Sequence, residues 1–161
     1  MSFSVYPRTE ASASRITGIF GGTEAQTSER TVLVAYDGSR PARRALEHAA
    51  QLVGVGGELA VVNVIPRESL SARVETVSSK ERTGQDDLLG EAKALLADLG
   101  VNAQVIAGAG DPVTEILAAA GELDAETIVV GRRARTAPHL VHGSISSKLV
   151  RRFEHDVLVV H

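Results

Sequence analysis

The sequence predicts a doubly wound α/β domain: a five-stranded parallel sheet in the order 3-2-1-4-5 with helices on both faces. Three observations carry this. Apolar runs alternate strictly with amphipathic segments from Thr31 to His161, a pattern that feeds right-handed crossovers and so a parallel sheet. Most of the runs are continuous rather than alternating, as in strands buried on both faces. Hydrophobic residues make up 43% of the 161 but aromatics only 3%, so Val, Leu, Ile and Ala must build the core.

The elements follow in order. Thr31 to Tyr36 is a buried strand closed by the turn Asp37-Gly38-Ser39. Ser39 caps a helix whose Ala42, Ala45, Leu46, Ala49 and Val53 share one face, and Gly54 and Gly56-Gly57 end it. Leu59 to Ile65 is the second strand, and a polar stretch of uncertain form runs from Pro66 to about Arg82. Leu88, Leu89, Ala92, Leu95, Leu96 and Leu99 then mark a helix stopped by Gly100. Val101 to Ala107 alternates as the third strand. Asp111-Pro112 supplies a cap and a first-turn proline for a helix ending near Gly121. Thr127 to Val130 is the fourth strand, Gly131 to Gly143 a loop, Ser144 to about Phe153 a helix, and Val157 to Val160 the last strand. Residues 1–30, rich in Ser, Thr, Gly and Glu and without sustained periodicity, read as a flexible extension before a single domain spanning 31–161.

Composition excludes several functions. There is no cysteine, hence no disulfide, thiolate catalysis or cysteine-held metal. No apolar run reaches the ~18–20 residues that span a bilayer, and the first residues lack a secretory signal, so a cytoplasmic, membrane-free protein is expected. With 17 basic and 20 acidic residues the net charge is −3, against the basic character of a nucleic-acid binder. The charge is uneven, however. Between Gly131 and Phe153 lie Arg132, Arg133, Arg135, Lys148, Arg151, Arg152 and no acid, leaving 11 basic against 20 acidic residues elsewhere.

Ligands of such sheets bind outside the strand carboxyl ends, where the strand order reverses. The segments that reach this point are Asp37-Gly38-Ser39, the loop after Ile65, Gly108 to Pro112, and Gly131 to Ser144. In the last, a glycine leaves a buried strand and Gly143-Ser144-Ile145-Ser146 opens a helix, which sets unpaired N–H groups and a positive dipole end toward an anion. Arg151 and Arg152 sit in a helix's last turn, where the dipole alone favours cations; Arg132, Arg133 and Arg135 stand at the cleft mouth.

Other patterns carry less. Gly54 to Gly57 follows a helix and precedes a strand, the reverse of a dinucleotide fingerprint. Walker A and Gly-x-Ser-x-Gly spacings are absent, and His48, His139, His142, His155 and His161 do not pair at metal-ligand spacings along a helix with a third ligand in view. His139 and His142 share one loop that could meet a phosphate or a metal, though solvent exposure is the expectation. Asp37 and Asp111 are the only acids expected at the cleft mouths, so no base stands ready to activate water. The last strand lies at a sheet edge, apolar and unguarded, and invites a second copy through Val157, Leu158, Val159 and Val160.

Val34-Ala-Tyr-Asp37-Gly-Ser, Gly110-Asp-Pro112, Ile128-Val-Val-Gly131, Gly143-Ser-Ile-Ser146 and Val157-Leu-Val-Val160, in this order and spacing, resemble the universal stress protein family over about Thr31 to His161. The resemblance implies a homodimer joined along the last strand and a cleft for ATP or another adenine nucleotide, with Mg²⁺ where a triphosphate binds. Asp37 would meet the adenosine with Ala35 and Val64 beside the base. Gly131, Arg133, Ala134, Gly143, Ser144, Ile145 and Ser146 would lie along ribose and phosphates. The ATP-binding branch has a glycine, two residues, a second glycine, nine residues, then Gly-Ser or Gly-Thr. Here Ala134 replaces the second glycine and only eight residues, Arg135 to His142, precede Gly143.

Two readings therefore stand: a stress-response protein that binds an adenine nucleotide and acts by conformation or partner choice, with slow hydrolysis at most, or a dimeric interaction protein of the same fold that binds none. A third, an enzyme acting on an anionic small molecule through the arginine loop, has less support.

Overall fold

A computed structural model describes residues 30–54, 56–66, 77–132 and 145–161. The chain runs β1 (Thr31–Ala35), α1 (Arg40–Val53), β2 (Glu58–Pro66), α2 (Ser79–Asp98), β3 (Ala103–Gly110), α3 (Pro112–Glu122), β4 (Thr127–Gly131), α4 (Ile145–Arg152) and β5 (Asp156–Val160). All strand pairs are parallel and the sheet order is β3-β2-β1-β4-β5. The chain winds outward from β1 to β3, then returns to the far side of β1, so the order reverses between β1 and β4.

Alternation along the central strands splits the core into two layers. Val32, Val34 and Val61 face α1 and α2, packing on Ala45, Leu46, Ala49, Ala92 and Leu96. Leu33, Ala60 and Ile128 face α3 and α4, packing on Val113, Ile116, Ala120 and Leu149. Each fully buried Val, Leu or Ile contributes about 1.5–3 kcal/mol. Tyr36, only 2% exposed, is the exception in this aliphatic interior. Its hydroxyl donates to Glu91 Oε1 at 2.7 Å, and Arg43 Nη2 lies 2.8 Å from the same oxygen, which links the residue after β1 to α1 and α2. Burial, and then the bond to Glu91, raise the Tyr36 pKa.

Local chemistry sets the helix starts. Ser39 Oγ accepts from Ala42 N at 3.3 Å and Pro41 occupies the first turn of α1. Asp111 Oδ1 accepts from Thr114 N at 2.9 Å to cap α3, again with a first-turn proline. The start of α2 falls earlier than periodicity suggests. Ser78 and Glu81 form a capping box, Glu81 N donating to Ser78 Oγ at 3.3 Å and Ser78 N to Glu81 Oε2 at 2.9 Å, so the helix begins at Ser79. The Ser78 hydroxyl and backbone N–H hold the Glu81 carboxyl below its ordinary pKa. β3 is shifted relative to expectation, starting at Ala103 and continuing to Gly110 because its last residues pair with Val64, Ile65 and Pro66.

Candidate functional site

The carboxyl ends of the five parallel strands lie along one side of the sheet, where the order reverses between β1 and β4, and each wall of the crevice there has a distinct local cause. On the β1 side, Asp37 Oδ1 accepts from Ser39 N at 3.0 Å, which fixes the turn immediately before α1. Gly38 within it has φ +77°, a left-handed conformation that disfavours a side chain. Ala35 and Val64 are half-buried against the α3/α4 layer, leaving a shelf of small side chains beside Asp37.

Behind this shelf two buried amides tie three strand ends together. Asn63, 6% exposed, donates from Nδ2 to the Tyr36 carbonyl at 2.7 Å. Gln85, 7% exposed, donates from Nε2 to the carbonyls of Asn63 at 2.9 Å and Gly108 at 2.8 Å. The position of the Asp37 turn is thereby coupled to β2 and β3. A spacing search has no means of finding this frame, because its members come from separate elements.

The β3 wall holds an acid that sequence reasoning overlooked. Glu115, in the first turn of α3, folds back across the end of β3: a Cβ built on Gly110 would lie 3.1 Å from its Oε1, and one built on Gly108 would lie 3.5 Å from its Oε2 and 3.3 Å from Val64 Cγ2. The expectation that Asp37 and Asp111 are the only acids at the cleft mouths is corrected accordingly. Asp111 itself is engaged in capping. The Thr114 N–H and hydroxyl lower its pKa, with a smaller contribution from the nearby charges of Lys148 and Arg152.

On the β4 side Gly131 lies against the start of α1, where a Cβ would come within 2.5 Å of Ala42 N and Pro41 C. This close packing accounts for glycine there independently of any ligand. Arg132 is exposed and follows directly, its N–H donating to the Val160 carbonyl at 2.7 Å and its Nη1 3.3 Å from His161 Nδ1. At the start of α4, Ile145 is 39% exposed while Ser146 is buried. The structure thus brings Ala35, Asp37, Val64, Gly131, Ile145 and Ser146 to the carboxyl-end side of the sheet. Arg133, Ala134, Gly143 and Ser144, like Arg135, His139, His142 and the extension up to residue 29, lie outside the described residues.

Among the described residues no group of three or more His, Asp or Glu is placed to hold a metal ion, and no helix is long and apolar enough to cross a membrane. A polar depression lined by Thr31, Glu58, Lys93, Asn102 and Gln104 opens at the opposite, amino-terminal end of the strands, away from the crevice. On β5, Asp156 is exposed and Val157, Leu158 and Val159 are half-buried, and its outer edge is unpaired among the described residues.

An open, doubly wound sheet with its polar and glycine-bearing turns gathered at the strand-order reversal defines an α/β domain with a switch-point crevice. The family model of the universal stress protein family matches residues 29–161, and the chain belongs to that family. Universal stress protein Rv1636 of Mycobacterium tuberculosis is 30% identical over 140 residues, covering 82% of this chain and 96% of that protein. A universal stress protein solved in complex with cAMP superposes with a TM-score of 0.68 at 23% identity, over 82% of this chain and 97% of its own. The universal stress protein from Archaeoglobus fulgidus in complex with dAMP gives 0.67 at 21%, over 82% and 98%. These two likenesses establish the fold.

Proposed function

We propose that this protein is a cytoplasmic, dimeric stress-response regulator that binds an adenine nucleotide between the Asp37 turn and the segment from Gly131 to Ser146. The observation that carries the reading is the crevice itself. An Asp-bearing turn and a shelf of Ala35 and Val64 stand on one side of the reversal; on the other β4 ends at Gly131 and α4 begins at Ile145, and the sequence between them is basic and glycine-flanked. The solved relatives in complex with cAMP and dAMP add support for adenine as the base. Arg133, Ala134, Gly143 and Ser144 complete the phosphate side in this reading. A divalent ion would arrive with a triphosphate and be held chiefly by its oxygens, as Mg²⁺ commonly is. In this reading the protein works by occupancy of the crevice rather than by turnover, with slow hydrolysis at most.

Calorimetric titration with ATP, ADP, AMP and cAMP, with and without Mg²⁺, tests this. Binding at micromolar to low-millimolar nucleotide is expected, with Asp37→Ala and Gly143→Val reducing affinity at least tenfold. No binding at millimolar nucleotide overturns the proposal. It would favour the second reading, a nucleotide-free interaction protein, which rests on Ala134 and the loop one residue short of the family pattern. If position 134 needs a left-handed backbone, its Cβ costs about 1–2 kcal/mol, a loss that one arginine–phosphate hydrogen bond of ~1.5–3 kcal/mol can offset.

The dimer of this proposal joins along the outer edge of β5, and its partner-selecting role extends to a further protein. Because the Val160 carbonyl faces β4, strand alternation turns the Val159 N–H outward. Val159→Pro therefore removes an edge donor while sparing the β4 ladder. Light scattering is expected to show a dimer for the parent chain and a monomer for this variant. A variant that remains dimeric rules out pairing through this edge.

A further inference from the structure

We infer that Glu115 is a specificity-determining residue of the crevice, its carboxylate accepting a hydrogen bond from the exocyclic amino group of the bound base. The inference rests on the nucleotide-binding reading above and deepens it. Val64 Cγ2 and Glu115 Oε2 both flank Gly108, at 3.3 and 3.5 Å from where its Cβ would stand, so the carboxylate borders the shelf on which the base lies. Glycine at 110, where a Cβ would approach Oε1 to 3.1 Å, leaves room for this fold-back, while a Cβ at 108 would meet Glu115 in ordinary contact. Gln85 anchors the Gly108 carbonyl at 2.8 Å, so the wall under Glu115 is held in place.

Among the described residues Glu115 makes no hydrogen bond or ion pair through its side chain, unlike Asp37, Asp111, Glu81 and Glu91. An ionised carboxylate offers acceptors only. A 6-amino purine presents a donor at that edge, whereas a 6-keto purine presents an oxygen that the carboxylate repels. Glu115 thus distinguishes adenine from hypoxanthine through charge-assisted hydrogen bonding.

The test compares AMP with purine riboside 5′-monophosphate, which lacks only the amino group, and with IMP, on the full chain by calorimetry. Ligand-free thermal unfolding reports that each variant folds. The parent is expected to prefer AMP over both analogues by about tenfold or more, the size of one hydrogen bond to a charged group. Glu115→Ala is expected to bring AMP and purine riboside monophosphate within about twofold of each other. Glu115→Gln, whose amide can also donate, is expected to gain affinity for IMP relative to AMP. AMP binding with discrimination unchanged in Glu115→Ala overturns this assignment and leaves the nucleotide reading intact. Absence of binding by every nucleotide overturns both.

Discussion

Gly131→Ala is expected to lower the thermal midpoint of the ligand-free protein by about 6–12 °C. The added Cβ would lie 2.5 Å from Ala42 N and Pro41 C and 2.8 Å from Pro41 O. These are backbone atoms, two of them in a proline residue at the start of α1, and none can rotate away. Either the end of β4 retreats from α1 or the first turn of α1 moves, and both disturb the layer formed by Ala42, Ala45 and Val129. Overpacking of this kind costs about 1–3 kcal/mol; the upper value is expected because no flexible side chain is available to yield. In a chain of this size each kcal/mol corresponds to roughly 2–4 °C. Gly121→Ala in α3 is the control, since a Cβ there meets nothing within 4 Å. It is expected to leave the midpoint unchanged or slightly raised, as alanine is the better helix former. A midpoint for Gly131→Ala within 2 °C of the parent would show that packing does not require this glycine, leaving ligand contact as its explanation.

Gln85→Leu is expected to destabilise the fold by about 1–3 kcal/mol in urea denaturation. Leucine fills similar space but removes the hydrogen bonds that Gln85 Nε2 gives to the Asn63 and Gly108 carbonyls, each worth about 0.5–1.5 kcal/mol. Asn63→Leu removes the donor to the Tyr36 carbonyl and is expected to cost about 1–3 kcal/mol. Because Gln85 bonds to the backbone of Asn63 itself, the two substitutions share one network, and the double variant should lose less than the sum of the singles. Strict additivity would show that the amides act independently and that the Asp37 turn is not coupled to β3 through them.

Much of the fold is legible in the sequence because buried parallel strands are written as short aliphatic runs. β1, β2, β4 and β5 fall where Thr31 to Tyr36, Leu59 to Ile65, Thr127 to Val130 and Val157 to Val160 place them, and the sheet order is the expected 3-2-1-4-5. Caps that obey a short spacing rule are equally visible, as at Ser39 and at Asp111-Pro112. The first turns of α2 are harder to see. They carry Lys80, Glu81, Arg82, Thr83 and Gly84 with little apolar content, and only the Ser78/Glu81 box marks their start.

The site is legible where it depends on strand ends and opaque where it depends on side-chain direction. Ala35, Asp37 and Val64 follow from knowing which ends meet. Glu115 does not, because its fold-back over Gly108 and Gly110 is a matter of side-chain direction that residue spacing leaves open. Gly131 reads as part of a ligand motif, yet its immediate neighbour is the backbone of Pro41 and Ala42.

The place of β1 at the centre of the sheet has a consequence for how the crevice comes into being. β1 meets β2 after a single crossover, but its other neighbour, β4, arrives only after α1, β2, α2, β3 and α3 have been laid down, with Val32 paired to Thr127. That pairing closes a long stretch of chain and bears the larger entropic cost of the two. The two walls of the crevice therefore lie on opposite sides of the least local seam in the sheet. A molecule that grips both walls holds the two halves of the domain together, and it protects the chain against global unfolding by RT ln(1 + [L]/Kd).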